Sequence, residues 1–294
     1  MSTLNPRGAE PPVRAHLHIA AQCMCGLRRI LEHDLAIFHL TTKPISRGAG
    51  RSAISAAAYC SGSQLHDQRQ GLTFDYSAKV GVVHTMILTP TGAPEWTRTR
   101  ENLWNCVEEA EKRKDSRIAR EIEVALPSEL SLSEQIKLVE GYVREQFVGS
   151  GLVVDVALHD KGDGNPHAHI LATTRPLLPD GTLGKKDREQ NTTATLLRWR
   201  ESWAIAVNEA LLKNGIDARI DHRSYADQGV DLIPSIHRGV ADHSSEVATD
   251  RTQEYFDRAR KNGELIIADP RRAFDLLARH QAVFGPDDIE VGRQ

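Results

Sequence analysis

The chain has 294 residues, 40% of them hydrophobic and 26% charged, with a net charge of −3, a balance that fits one large globular domain, or one domain with extensions, and argues against a generally basic nucleic-acid coat. No apolar run approaches the roughly 20 residues of a spanning helix, and the stretch around His16 to Ala21 is too short and too broken by histidines for a signal peptide. A cytoplasmic protein without membrane insertion is expected, its four cysteines (Cys23, Cys25, Cys60, Cys106) free thiols.

Residues 1–34 differ from the rest. They hold Pro6, Pro11, Pro12, scattered histidines and a Cys-x-Cys. The spacing of His16, His18, Cys23 and Cys25 fits no trusted metal pattern, so a poorly ordered N-terminal extension is expected. Ala36-Ile-Phe-His-Leu-Thr-Thr42 reads as a strand. A glycine loop follows at Ser46–Gly50, then an alanine-rich helix over Arg51–Tyr59 that stops near Gly62. Val82–Leu88 reads as a strand, and Thr99 to Lys114 as a helix with Leu103, Val107 and Ala110 on one face. Glu121–Leu126 alternates charged and apolar residues as a half-buried strand and is closed by Pro127. A helix from Ser131 or Ser133 to Phe147 comes next. Two strands, Leu152–His159 and His167–Thr174, flank the polar turn Asp160–Pro166. Thr195 to Asn214 reads as a helix ended by Gly215, and 217–220 as a last short strand. After Gly239 the chain is charged, with helical stretches at 252–261 and 270–280 and no motif. This order predicts an α+β fold, a central antiparallel sheet with flanking helices. The expected division is an extension at 1–34, a main domain at 35–240, and a partly helical C-terminal segment at 241–294.

His167-Ala-His169 carries the sharpest signal. On a strand, residues two apart point to one face, so both imidazoles project together while Ala168 faces the core. A hairpin through Gly162, Gly164 and Pro166 brings His159 opposite the pair. Three imidazoles on one sheet face make a metal-ligand set with open positions. A polar strand face is the plain alternative for the pair alone. Imidazole suits Zn, Mn, Co or Ni, and phosphate oxygens in the shell admit Mg or Mn.

A metal that polarises a phosphate still needs a nucleophile. Tyr59 is the candidate, at the end of a small-residue helix with Arg47 and Arg51 nearby; composition alone favours an ordinary packed tyrosine. Glu121 and Glu123 share a strand face, and either is placed to act as a base or to brace a metal ligand. Lys112, Arg113, Lys114, Arg117 and Arg120 form one basic cluster, and Arg175, Lys185, Lys186, Arg188, Arg198 and Arg200 a second basic stretch. Each reads equally as a phosphate contact or a solvated face.

Several ordered motifs together resemble the MobA/MobL (MobQ-type) plasmid relaxases. They are Ser46-Arg-Gly-Ala-Gly-Arg-Ser-Ala-Ile-Ser-Ala-Ala-Ala-Tyr59, Ala110-Glu-Lys-Arg-Lys-Asp115, Arg120-Glu-Ile-Glu-Val-Ala-Leu-Pro127, the run from His159 to His169, and Asp221-His-Arg-Ser-Tyr-Ala-Asp-Gln-Gly229. The resemblance covers roughly Ala36 to Gly239. It implies an HUH endonuclease fold, ferredoxin- or palm-like. It implies a site- and strand-specific DNA nickase that stays attached to the 5′ phosphate and reseals the strand during plasmid transfer. Matched by position, Tyr59 is the nucleophile, Glu121 the active-site acid, and His159, His167 and His169 the ligands of a divalent metal, Mg or Mn foremost and Zn, Co or Ni next. Lys43, Arg47 and Arg51 are the expected phosphate contacts. Single-stranded or hairpin DNA at the transfer origin is the expected partner, with accessory mobilisation proteins and a coupling protein besides. Two departures from the family pattern are expected: residues 1–34 as an added arm, since relatives begin close to Ala36, and no helicase or primase domain of the kind longer relatives carry. Two other functions fit the residues less well: a rolling-circle initiator or transposase of the same HUH class, and a metal-stabilised DNA-binding autorepressor without enzymatic activity.

Overall fold

The computed structural model describes residues 38–233, 250–269 and Arg272. The expected extension, the first residues of the strand expected from Ala36, the boundary at 240/241 and the helix expected at 270–280 (Arg272 apart) lie outside the described residues. Two compact units are present: Ala36–Ile216 with Ile220–His222, and a second built from the remaining segments.

The larger unit is an antiparallel sheet with helices on both faces. Its strands are β1 (Leu40–Ser46), β4 (Val82–Leu88), β5 (Arg117–Ala125), β6 (Val154–His159) and β7 (His167–Thr173), in the order β1-β5-β7-β6-β4. A small hairpin of β2 (Gln64–Asp67) and β3 (Leu72–Asp75) stands apart. The α+β reading therefore holds. β1 runs through Lys43 and Pro44 to Ser46, further than the sequence pattern implied. It tolerates the proline because it is an edge strand, paired on one side only. The expected strand at 217–220 is not one. Instead Asn208 fastens the Ile220 backbone with two hydrogen bonds, of 2.8 and 2.9 Å.

Helices α1 (Ala53–Ser61) and α2 (Arg100–Glu109) cover one face. Ser52 caps α1 by accepting from Ser55 N–H, and Gly62 closes it in the left-handed region at φ 61°. Alanine-sized side chains let α1 lie close to the sheet, where Ala53, Ile54, Ala57 and Ala58 join Ile45, Ala119 and Leu171 in one buried cluster with Leu103, Trp104 and Val107 of α2. α2 stops at Glu109, so Lys112–Lys114 lie in the following loop and not in the helix expected to reach Lys114. Two side chains of α2 grip Asp155 of β6: Arg100 Nε at 2.9 Å and Trp104 Nε1 at 3.1 Å. Burial pushes that carboxyl up to about 6, with Arg100 opposing.

The opposite face carries α3 (Leu132–Gln146) and α4 (Thr193–Lys213). A capping box of Ser131 and Glu134 starts α3. Tyr142 packs edge-on against Phe147 and Trp203, and Phe147 against Trp199. Arg120 projects from β5 on this side, 5.6 Å from the Trp199 ring. No helix among the described residues is long and apolar enough to cross a membrane. In the smaller unit, α5 (Asp250–Ala268) is held to Ile233 by both side-chain amide atoms of Asn262.

Candidate metal centre and tyrosine cleft

The register of β6 and β7 builds the histidine cluster. His159 stands opposite His167, and Ala157 opposite His169. Alternation along the strands then places all three imidazoles on the face that carries α1. Their ring centroids are 4.6 to 5.2 Å apart, and one ring nitrogen from each lies within 4.8 Å of the others. The loop that joins the strands turns through Gly162 and Gly164, both at positive φ, as the sequence pattern implied.

Two of the imidazoles have one nitrogen hydrogen-bonded to a main-chain carbonyl. His159 Nε2–H donates to the Cys60 carbonyl at 2.6 Å, and His167 Nδ1–H donates to the Asn165 carbonyl at 2.9 Å. A carbonyl only accepts, so these partners assign the tautomers and leave the other nitrogen with its lone pair free. His169 Nδ1 is buried without a well-aligned hydrogen bond and lies 3.3 Å from Glu121 Oε1. Burial, with His169, Lys79 and His167 adding to it, holds His159 down to about 4 against the opposing Cys60 carbonyl, so this ring is neutral at neutral pH. Three imidazoles, each backed by an oxygen, fit a divalent cation, and so does the chemistry of the set.

Glu121 sits on β5 between His169 and Arg51, whose guanidinium is 3.0 Å from the second carboxylate oxygen. His169 first, then Arg51, holds its carboxyl down to about 2 against burial. It is therefore ionised at neutral pH and a weak proton acceptor there. Glu123 is more exposed and faces Lys43 at 3.8 Å.

Tyr59 lies on the open side of α1 and is 48% exposed. It lines a cleft of about 760 Å³ together with Lys43, Arg51, Glu121, Glu123 and His169. Tyr76 meets its ring edge-on at 5.4 Å. Cys60, next in sequence, points inward, and burial raises its thiol. His159 joins the group through the Cys60 carbonyl, so the helix that presents Tyr59 is hydrogen-bonded to the histidine cluster.

Lys43 and Arg51 thus stand where the sequence placed them, beside Tyr59. Arg47 does not. Its side chain is 10% exposed, and the guanidinium is bonded to the Glu108 carboxylate at 2.7 and 2.9 Å and to the Glu111 carbonyl at 2.8 Å. The other Glu108 oxygen accepts Ala53 N–H at the start of α1. Arg47 is therefore a buried fastener of the α1 entry and does not line the Tyr59 cleft.

Sequence reasoning missed Lys79. Its ammonium lies 3.6 Å from the Tyr59 ring centroid and donates to the Tyr59 carbonyl at 2.9 Å. Nothing in the Ser77-Ala-Lys-Val80 context marks it; the β2–β3 excursion delivers it. The His222 carbonyl accepts from Arg200 at 3.1 Å, and its ring Nδ1 lies 3.9 Å from Asp221.

The profile of the MobA/MobL family matches residues 51–247. Mobilization protein MobL of Acidithiobacillus ferridurans is 38% identical across 84% of this chain and 71% of its own length. Conjugal transfer protein TraA of Agrobacterium fabrum is 34% identical across 87% of this chain but 27% of its own length, so this chain spans about a quarter of that relative. A solved structure described as the molecular basis of vancomycin resistance transfer in Staphylococcus aureus superposes with a TM-score of 0.61 at 33% identity, over 65% of this chain and all of that one.

Proposed function

The chain belongs to the MobA/MobL family, and from that premise we propose that it nicks and reseals one strand of plasmid transfer-origin DNA through Tyr59. The observation that carries the reading is the shared cleft: Tyr59, Arg51, Glu121 and His169 line one opening, and His169 belongs to the three-imidazole cluster.

The Tyr59 phenol oxygen attacks the scissile phosphorus. A bond forms between that oxygen and phosphorus, and the bond from phosphorus to the 3′ oxygen breaks. The phenol proton passes to solvent in the open cleft, and the 3′ oxygen takes a proton from solvent and leaves as a hydroxyl. The Lys79 ammonium lies over the Tyr59 ring and steadies it at the cleft. Lys43 and Arg51 receive the phosphates on either side. Glu121 holds His169 by its ring, which orients a ligand rather than moving a proton. His159, His167 and His169 would hold a divalent cation, Mg or Mn foremost and Zn, Co or Ni next, which when bound neutralises charge developing on the phosphate. The phosphotyrosyl diester keeps the energy of the broken link, so a 3′ hydroxyl reverses the step without a nucleotide cofactor.

The test is incubation with single-stranded candidate origin DNA and Mn or Mg, followed by a denaturing gel. A protein–DNA adduct formed by the native chain and absent from Tyr59→Phe is expected. An equal adduct from both proteins rejects Tyr59 and turns attention to Tyr76.

A further inference from the structure

The two basic stretches of the sequence contribute little to the Tyr59 cleft, yet the fold brings them together. Lys112 and Arg113, between α2 and β5, and Arg117, the first residue of β5, line one groove of about 710 Å³ with Arg175, Lys186 and Arg188, which follow β7. Six cations there stand against three carboxylates: Glu111, Asp115 and Asp187. Glu111 already holds Arg175 and Lys186, each at 2.8 Å, and Asp115 holds Arg113 at 3.0 Å. Lys112 and Arg188 are exposed and make no ion pair among the described residues.

A second groove joins this one to the cleft. Its lining contains Arg69 and Lys114 and no carboxylate. It shares Arg51 with the Tyr59 cleft and Lys112 with the larger groove. The result is a basic track from Tyr59 to the end of the sheet where β5 begins and β7 finishes. Its chemistry differs from that of the cleft. Phe74, Tyr59 and Tyr76 give the cleft faces for base stacking, whereas neither groove of the track is lined by an aromatic residue. Cations without stacking platforms recognise phosphates and position a strand whatever its sequence.

We propose that this track holds the sugar–phosphate backbone of the single strand that flanks the reacting phosphate, several nucleotides away from it. The proposal rests on the nicking reading of the Tyr59 cleft but is tested separately from it. Fluorescein-labelled oligo(dT) of about 6 and about 20 nucleotides, bracketing the footprint of a small single-strand binder, is titrated across salt concentrations. The longer probe is expected to bind the native chain more tightly. A Lys112→Gln/Lys114→Gln/Arg188→Gln variant is expected to lose that gain. Three lost contacts lower the salt slope by about 0.7 each, so the native chain should weaken about 20-fold more than the variant between about 50 and 200 mM salt. A Lys112→Arg/Lys114→Arg/Arg188→Lys variant is expected to bind like the native chain. Native affinity and slope in the glutamine variant overturn the proposal, and so does failure of the charge-preserving variant to restore them. Adduct formation by the native chain on candidate origin DNA is read in parallel. An adduct without length dependence rejects the track alone; length dependence without an adduct rejects nicking alone.

Discussion

The imidazole of His159 donates to the main-chain carbonyl of Cys60 at 2.6 Å, which ties the last turn of the helix presenting Tyr59 to the histidine cluster. Tyr59 and the candidate metal ligands are thus coupled through one backbone atom. Loss of His159 should be felt twice. His159→Ala is expected to abolish measurable Mn binding in calorimetry and also to broaden or shift Tyr59 signals in NMR spectra recorded without metal. Unchanged Tyr59 signals in the variant would separate the two sites.

Glu121→Gln keeps the shape of the side chain and removes its charge. Metal affinity is expected to fall by about 10- to 100-fold, the usual cost of losing an outer-shell partner, while DNA binding in the absence of metal changes little. Calorimetry with Mn checks the first and fluorescence anisotropy the second.

The same residue sets an acid limit. Its carboxyl is held down to about 2 by His169 and then Arg51, from an ordinary value of 4.5. A depressed carboxylate stabilises the fold above its unfolded value, and that stabilisation is lost as pH falls from about 4.5 toward about 2. The stability difference between the native chain and Glu121→Gln, at most about 3 kcal/mol, should therefore shrink across that window and stay flat above pH 5. Urea unfolding at pH 6, 4 and 3 measures it.

Arg47→Ala and Arg51→Ala are expected to behave as opposites. Removing Arg47 leaves Glu108 buried, 1% exposed, with Arg69 as its remaining cation, and should destabilise by about 3–5 kcal/mol. Removing the more exposed Arg51 should leave the unfolding midpoint within a few degrees of the native one and weaken oligonucleotide binding. Thermal unfolding and anisotropy on both variants decide it.

The contrast between those arginines shows what could be read from the sequence. The β6–β7 hairpin was legible because alternation, Gly162, Gly164 and Pro166 all point to one local structure, and the histidines follow from strand geometry. β4 was legible as an apolar run. Arg47 was not legible as a fastener, because its partner Glu108 is 61 residues away and sequence shows a charge without showing what neutralises it. The β2–β3 hairpin was missed because each of its strands is only 4 residues long, too short for alternation to stand out. With it went Lys79, whose place over Tyr59 depends on that excursion. β1 was cut short on paper by Lys43 and Pro44, residues that only an edge strand accommodates.

The acceptor that links Cys60 to His159 is a main-chain atom, which gives the coupling an unusual genetic profile. Substitution of Cys60 by alanine or serine leaves the carbonyl in place, so a side-chain scan at position 60 does not remove the contact. The vulnerable position is Gly62. A side chain there must adopt φ 61° and would meet Val82 Cγ2 at 3.1 Å, forcing the final turn of α1, and the carbonyl with it, away from the ring. Selection on this link would therefore be written at a glycine outside both the Tyr59 cleft lining and the histidine cluster.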